Sequence, residues 1–198
     1  MSEYIVIISA IILAYLSGSL CAAVIVCKLF GLSDPRDAGS NNPGATNVLR
    51  LHGKKYAIMV LVADMLKATL PIAIAHLMNL APVYLAWMGL AAVLGHMYPI
   101  FFKFKGGKGV ATTLGAYLGI NPLLGFIALL LWVVIAKLKG YSSLASLSTA
   151  IAVPFIALGF YQDTSILYPL LSISVLVIAK HHENIQRLIH GEESKIKL

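Results

Sequence analysis

The sequence predicts an all-α integral membrane protein with about seven transmembrane helices, some of them short or tilted. Of its 198 residues, 59% are hydrophobic and only 12% are charged, whereas soluble domains average roughly 45–50% apolar and about 25% charged residues. The apolar residues form long runs that are separated by polar intervals carrying most of the charge. At roughly 20 residues per crossing, no second folded unit fits. Residues 1–198 are therefore expected to form a single polytopic domain.

The first three crossings are predicted from long apolar runs. Residues 4–27 are nearly uninterrupted, and they are too long, and lack the positively charged leading region, for a cleaved signal peptide. The polar interval 28–56 is dense in Gly, Asn, Asp, Pro and Arg, which predicts a loop with turns. Residues 57–77 and 83–102 are the second and third crossings.

The later crossings are shorter and less regular. Residues 110–118 are too short to cross alone, and Asn121-Pro122 separates them from residues 123–136, which predicts a hairpin of two short or tilted helices. Residues 144–160 and 166–179 make two further crossings. The total is five to seven, and seven is favoured.

The distribution of cations predicts the orientation. With seven crossings and an external N-terminus, all fifteen Lys and Arg residues except Lys67 fall in or beside segments that face the cytoplasm. By the positive-inside rule, the loops that carry the excess of Lys and Arg face the cytoplasm. The C-terminus is therefore predicted to be cytoplasmic. Three polar stretches rich in glycine, asparagine or histidine then emerge on the side where soluble phosphorylated metabolites are found.

Two charges interrupt the second apolar run. Asp64 and Lys67 lie one helical turn apart on the same face, so they must contact protein or water and not lipid. A structural ion pair is favoured over a direct role with substrate.

The glycine-rich stretch around Lys108 is typical of an anion site. Gly106, Gly107 and Gly109 would let backbone N–H groups approach an oxyanion closely, and a helix starting nearby would add its unpaired N–H groups and its dipole. A Walker A loop is excluded, because Phe102 and Gly109 occupy positions that need Gly and Ser or Thr. The alternative is a basic turn that merely obeys the positive-inside rule.

The polar stretch 38–50 offers a second set of phosphate ligands. Ser40 supplies a hydroxyl, Asn42 and Asn47 supply amides, and Arg50 supplies a planar cation that can hold a phosphate through two parallel hydrogen bonds. The alternative is a turn-rich loop capped at Ser40 or Thr46.

The third polar stretch follows the last apolar run. His181 and Asn184 are three residues apart, as if one helix leaves the membrane and presents both polar groups inward. The alternative for His181 is an interfacial side chain that reaches toward water. A metal site is disfavoured, because no His and carboxylate set at ligand spacing is repeated elsewhere.

Together the three stretches resemble the PlsY family, the bacterial acyl-phosphate:glycerol-3-phosphate acyltransferases, over essentially the whole chain. Two departures are visible: Asn41 stands where many members have glycine, and Leu20-Cys21 stands where many have an Ile-Pro step. Asn tolerates left-handed backbone better than most residues do. The motif residues are Gly39, Ser40, Asn42, 44–47 and Arg50; Gly95, His96, Pro99, Phe101 and 104–112; and His181, 183–185 and 187–188.

The resemblance implies transfer of a fatty acyl group from acyl phosphate to the 1-hydroxyl of sn-glycerol 3-phosphate. The products are 1-acyl-glycerol 3-phosphate (lysophosphatidic acid) and phosphate, in the first acylation of phospholipid synthesis. The location would be the bacterial cytoplasmic (inner) membrane, with the active site on its cytoplasmic face. The expected partners are the two substrates and membrane lipid; no cofactor, metal or nucleic acid is expected, and the chain is expected to be a monomer.

The chemistry implied by the resemblance assigns roles to the candidate residues. The glycine loop would hold acyl phosphate, Lys108 would lie between the two phosphates, and Arg50 with Ser40 would grip glycerol 3-phosphate. Acyl phosphate is an activated mixed anhydride, so no acyl-enzyme is expected; His181 or a substrate phosphate would take the proton. The catalytic candidates are Ser40, Arg50, Lys108, His181 and Asn184, and the substrate-binding candidates are Gly106, Gly107, Gly109, Asn42, Asn47, Thr46, Ser143, Ser146 and His96.

The sequence also has features of two other classes of protein. Intramembrane Asp64 and Lys67 with broken helices would suit a small transporter, but a transporter should place polar groups at the midplane and on both faces. A lipid phosphatase would need a nucleophilic histidine, a second histidine and several arginines, for which Arg50 and Arg187 are thin support.

Overall fold

The computed structural model describes residues 3–196, and within that range it contains helices and no strand. Short 3₁₀ turns lie at Ile100–Phe102 and Thr164–Ile166. The ten α-helices are α1 Glu3–Gly18, α2 Ala22–Leu29, α3 Ala45–His52, α4 Lys54–Leu77, α5 Pro82–Met97, α6 Val110–Ile120, α7 Pro122–Lys139, α8 Ser142–Ala157, α9 Leu167–Lys180 and α10 His182–His190.

The helices differ in whether they are long enough to cross a membrane. Within residues 3–196, three spans qualify, built on α4, α5 and α7, or five if the bent pairs α1–α2 and α9–α10 each count as one span. The remaining apolar helices, α6 and α8, are shorter. An 11-residue helix such as α6 rises only about 16 Å, against a hydrocarbon core of about 30 Å. Seven crossings therefore stay a prediction that depends on α6 and α8.

The first apolar run, which the sequence predicts to cross the membrane, consists of two helices. The helix ends at Gly18 and resumes at Ala22, with a bend of 44°. The break frees the carbonyl of Leu20, which accepts a hydrogen bond of 2.8 Å from the ammonium of Lys67. A buried cation on α4 thus gains an acceptor that an unbroken helix would have used internally.

The polar interval 28–56 is not entirely loop, which corrects the sequence interpretation. It contains α3, a helix of eight residues with Asn47 and Val48 buried and Arg50 and His52 in its last turn. Cations near a helix C-terminus interact favourably with the helix dipole. The helix places Arg50 at the edge of the cavity described below.

The predicted break between the two short helices is confirmed at Asn121. Its side-chain oxygen accepts hydrogen bonds from the N–H groups of Leu123 and Leu124, at 2.9 and 3.3 Å. Pro122 occupies the first turn of α7, where its missing N–H has no cost. This cap turns the chain so that α6 and α7 pack against each other.

Close packing of α6 on α4 depends on small residues. A side chain at Gly115 would overlap the backbone of Met65, and one at Gly119 would overlap Ile72. Small residues at such crossings let membrane helices approach closely. The approach brings the first turn of α6, which follows the glycine loop, next to α4 and its buried charges.

Candidate functional site

One cavity of about 840 Å³ joins a polar end to an apolar groove. The polar end is formed by the stretch 39–50, Lys108 and Gly109, and residues of α8, α10 and the C-terminal tail. The groove lies among α4, α6 and α7, and Ile58, Leu61 and Leu129 on its walls are more than a third exposed. Such a cavity suits a ligand with a charged head and an aliphatic tail that enters from the bilayer.

Twelve of the fourteen candidate residues line this cavity, although they come from distant parts of the chain. Gly106 and Gly107 do not line it. Those that do are Ser40, Asn42, Thr46, Asn47, Arg50, His96, Lys108, Gly109, Ser143, Ser146, His181 and Asn184.

Gly106 and Gly107 pack against the end of α5. The N–H of Gly107 donates to the carbonyl of His96 at 3.1 Å. A side chain at Gly107 would overlap the His96 imidazole, and one at Gly106 would overlap the His96 carbonyl. This packing alone requires glycine at both positions. Gly109, with φ of +83°, is the glycine of the three that lines the cavity.

The stretch before α3 has the left-handed turns that its sequence suggested. Gly39 has φ of +66° and Asn41 has φ of +52°, so the interpretation that Asn replaces a left-handed glycine is confirmed. Asn47 is buried and its amide is fully used inside the loop. It donates to Pro35 and Ala38 carbonyls at 2.8 and 3.0 Å and accepts from the Ser40 N–H at 3.0 Å.

For several predicted substrate contacts, the structure therefore favours a positioning role. The amide of Asn47 and the N–H of Gly107 are already paired. Ser146 donates to the Ser142 carbonyl at 2.8 Å and accepts from the Trp132 indole at 3.0 Å. Polar groups with partners inside the protein are less available to a ligand.

His96 belongs to a buried charge cluster, the Asp64–Lys67–His96 triad. The Lys67 ammonium lies 2.8 Å from Asp64 Oδ1, 2.8 Å from His96 Nδ1 and 2.8 Å from the Leu20 carbonyl. The predicted ion pair between Asp64 and Lys67 is thus confirmed. The contact of His96 with this pair was not predicted from the sequence. The backbone carbonyl of His96 also accepts a hydrogen bond from the Gly107 N–H. The triad is therefore connected to the glycine loop.

Lys108 lies at the centre of the polar end. Its ammonium donates to Asn184 Oδ1. Burial lowers the pKa of Lys108 below its ordinary value, and the Arg187 and Arg50 guanidinium groups act in the same direction, while Glu183 and Glu193 oppose them. A partly desolvated ammonium interacts strongly with any phosphate placed beside it.

Glu193 was not predicted, and it accepts three hydrogen bonds in the site. It accepts from Ser143 Oγ, Asn184 Nδ2 and Arg187 Nε, each at 2.7 Å. Burial would raise the pKa of the Glu193 carboxyl, but the hydrogen bonds from Ser143, Arg187 and Asn184 outweigh burial and hold it below its usual value.

His181 and Asn184 both line the cavity, as the spacing predicted. His181 is buried, and its Nδ1 lies 2.7 Å from the Val177 carbonyl. Since a carbonyl oxygen can only accept, this contact assigns the proton of the neutral ring to Nδ1. Nε2 is then the nitrogen that is able to accept a proton.

Arg50 reaches the same end of the cavity from α3. One of its terminal nitrogens donates to Ser194 Oγ at 2.7 Å. Within residues 3–196, no carboxylate lies within 4.0 Å of its guanidinium. Arg50 therefore offers a charge that a ligand can neutralise.

A family model and the similar proteins carry the same description. A family model described as glycerol-3-phosphate acyltransferase matches residues 8–191. A protein of that name from Legionella pneumophila (strain Corby) is 51% identical over 187 residues, covering 94% of this chain and 68% of the relative. One from Shewanella sp. (strain MR-4) is 48% identical over 196 residues, covering 99% and 96%.

Two solved structures are similar over nearly the whole chain. Both are crystal structures of PlsY (YgiH), an integral membrane glycerol 3-phosphate acyltransferase. The glycerol 3-phosphate form has a TM-score of 0.90 with 40% identity and covers 96% of each chain. The lysophosphatidic acid form has a TM-score of 0.88 with 39% identity, covering 96% of this chain and 95% of the other.

Proposed function

The chain belongs to the glycerol-3-phosphate acyltransferase family, and from that premise we propose that it transfers a fatty acyl group from acyl phosphate to the 1-hydroxyl of sn-glycerol 3-phosphate. The observation that carries the proposal is a cavity in which a cationic end continues into an apolar groove. Two phosphorylated substrates, one with an acyl tail, require this combination. The similar crystal structures are described as glycerol 3-phosphate and lysophosphatidic acid forms.

The donor phosphate is placed beside Lys108 and Gly109. The first residues of α6, Val110 and Ala111, line the cavity at this point. The N–H groups in the first turn of a helix lack partners within the helix and favour an anion. The acyl chain then extends along the groove past Leu114 toward Leu129.

The acceptor, glycerol 3-phosphate, is placed at α3 and the stretch that precedes it. Arg50 grips the phosphate of glycerol 3-phosphate, and the side chains of Ser40 and Asn42 line the cavity next to it. A guanidinium can form two parallel hydrogen bonds to a phosphate, which fixes the orientation of the glycerol as well as its position.

The reaction proceeds by direct attack. The 1-hydroxyl oxygen bonds to the acyl carbon, the bond from that carbon to the phosphate oxygen breaks, and phosphate leaves. The proton passes to Nε2 of His181 or to a phosphate oxygen of the substrate. Lys108 stabilises the charge that develops on the departing phosphate. The mixed anhydride is already activated, so the chain does not need to form an acyl-enzyme.

Purified protein supplied with acyl phosphate and glycerol 3-phosphate should release phosphate and form lysophosphatidic acid. Product formation is measured in parallel with acyl-CoA and acyl carrier protein as donors, and the rate with acyl phosphate should exceed both. Equal or faster transfer from another donor would contradict the donor assignment. Absence of transfer to glycerol 3-phosphate from every donor would contradict the function itself.

The proposed setting is the bacterial inner membrane, with an external N-terminus, seven crossings and the site on the cytoplasmic face. The support is the charge asymmetry and the grouping of twelve candidate residues around one cavity. Single cysteines at Asp163 and Lys195 test it, in a background where the buried Cys21 and Cys27 are replaced. The two positions flank α9 and should be labelled from opposite sides. Labelling of both from one side would contradict the topology.

A further inference from the structure

The tail that follows α10, residues 191–196, folds back over the polar end of the cavity. It begins at Gly191, whose φ of +74° reverses the chain, and the N–H of Glu192 donates to the Arg187 carbonyl at 2.8 Å. At its other end, the N–H of Ile196 donates to the Gly140 carbonyl at 2.8 Å. The tail is therefore fixed on both sides of Glu193.

The Glu193 side chain is only 5% exposed between these two anchors. One of its oxygens accepts from both Ser143 and Asn184, and the other accepts from Arg187. Ser143 belongs to α8, whereas Asn184 and Arg187 belong to α10. One carboxylate thus joins two helices at the mouth of the site.

Glu193 also helps to fix which way the Asn184 amide points. Its oxygen takes the Asn184 N–H, so the amide presents its own oxygen to Lys108. Without an acceptor at position 193, the Asn184 N–H group loses its partner, and only the hydrogen bond from Lys108 still orients the amide. The position of the Lys108 ammonium therefore depends on Glu193 through one intermediate side chain.

We propose that Glu193 is a positioning residue for acyl transfer, which acts through Asn184 to hold the Lys108 ammonium between the two substrate phosphates. The inference rests on the proposed function, since it assigns Lys108 to those phosphates. It adds to the site a residue from the tail that makes no contact with the reacting atoms.

The alternative is that the Glu193 carboxylate occupies a phosphate position and must leave before substrate binds. A displaceable segment should be weakly held and exposed, whereas Glu193 has three hydrogen bonds and its tail is paired at both ends. Under the alternative, removal of the carboxylate would lower KM for a substrate. Under the proposal, it lowers kcat.

The test is Glu193→Gln in the full chain, with Glu192→Gln as the matched control. Glu192 is exposed and one residue away, so the control makes the same change in charge outside the cluster. Gln keeps the shape of the side chain, but its amide N–H group would face an N–H donor of Arg187 or Asn184. We expect kcat to fall about 10- to 100-fold, the range for a lost hydrogen bond to a charged group, while the control keeps its activity.

The dependence of kcat on pH supplies a readout that a purely structural role would not move. The groups that face Lys108 are Arg187, Arg50, Glu183 and Glu193, with His181 nearby. Glu193 raises the pKa of Lys108 against the effects of burial and the two arginines. Without that charge, the lysine loses its proton at lower pH, so the alkaline limit of activity should move to lower pH in Glu193→Gln and stay in place in Glu192→Gln.

A second variant, Glu193→Asp, keeps the charge but is one methylene shorter and cannot reach all three donors. It should lose kcat with a smaller shift of the alkaline limit, and it decides the matter if Glu193→Gln does not fold. Folded variants at Glu193 with normal kcat, or with a lower substrate KM, would overturn the proposal while the wild-type activity stands. An inactive wild type would instead overturn the proposed function, and this inference with it.

Discussion

Replacement of Lys108 by Met should lower kcat about 100- to 1,000-fold, the range for loss of one group that stabilises a developing oxyanion. Met keeps the length and the apolar stem of the side chain and removes the charge. The loss arises because the ammonium lies at the polar end of the cavity, held by Asn184, where the departing phosphate gathers charge. The measurement is steady-state transfer from acyl phosphate to glycerol 3-phosphate.

Lys105→Met is the matched control for this prediction. Lys105 lies three residues earlier in the same loop, is exposed and does not line the cavity. Its replacement changes the net charge by the same amount and should leave kcat within about threefold, as expected for a surface site. A Lys108→Met variant that keeps more than a tenth of the wild-type kcat would contradict the assignment.

The split between kcat and KM carries further information. An interaction made mainly in the transition state lowers kcat and kcat/KM together, whereas one made equally with bound substrate raises KM alone. Lys108 stabilises a charge that grows during the reaction, so the first pattern is expected. A change confined to KM for acyl phosphate would make Lys108 a binding residue only.

The helices and much of the site could be predicted from the sequence for separate physical reasons. Apolar runs predict helices because the bilayer requires every backbone polar group to be paired within the segment. Lys108, His181 and Asn184 stand out because each is a polar residue type beside an apolar run, and the resemblance of the three motifs supplied their shared chemistry. In the structure all three line one cavity, and their shared role stays a prediction.

Other features depend on contacts that no local pattern records. Glu193 is buried because the chain reverses at Gly191 and pairs with Gly140, which lies 56 positions before Ile196. In the sequence it is one acid in a charged tail. The break at Leu20 likewise serves Lys67, 47 residues away. Helix α3 escaped notice because its eight residues make only about two turns and lie in an interval dense in Gly, Asn, Asp, Pro and Arg, which is typical of a loop.

The Asp64–Lys67–His96 triad is the feature whose disruption should cost the fold most. The side chains of Asp64 and Lys67 are 2% and 5% exposed. Removal of one partner from a buried ion pair leaves the other charge uncompensated, at about 3–5 kcal/mol. Lys67→Met also withdraws the donor from the Leu20 carbonyl and the contact to His96 Nδ1. We expect it to lower the free energy of unfolding by about that amount.

Unfolding in detergent, followed by helix content against denaturant, measures this loss. The matched control is Arg36→Met, which breaks the Asp34–Arg36 ion pair of 2.6 Å, whose side chains are 27% and 29% exposed. A pair accessible to solvent contributes about 0–1 kcal/mol, so the control should unfold close to the wild type. The double variant Asp64→Leu with Lys67→Met replaces the pair by apolar side chains and should be more stable than Lys67→Met alone, because no unpaired carboxylate is left. Equal unfolding free energies for Lys67→Met and Arg36→Met would contradict the role of the triad in holding α4 to α5 and to the break in the first helix.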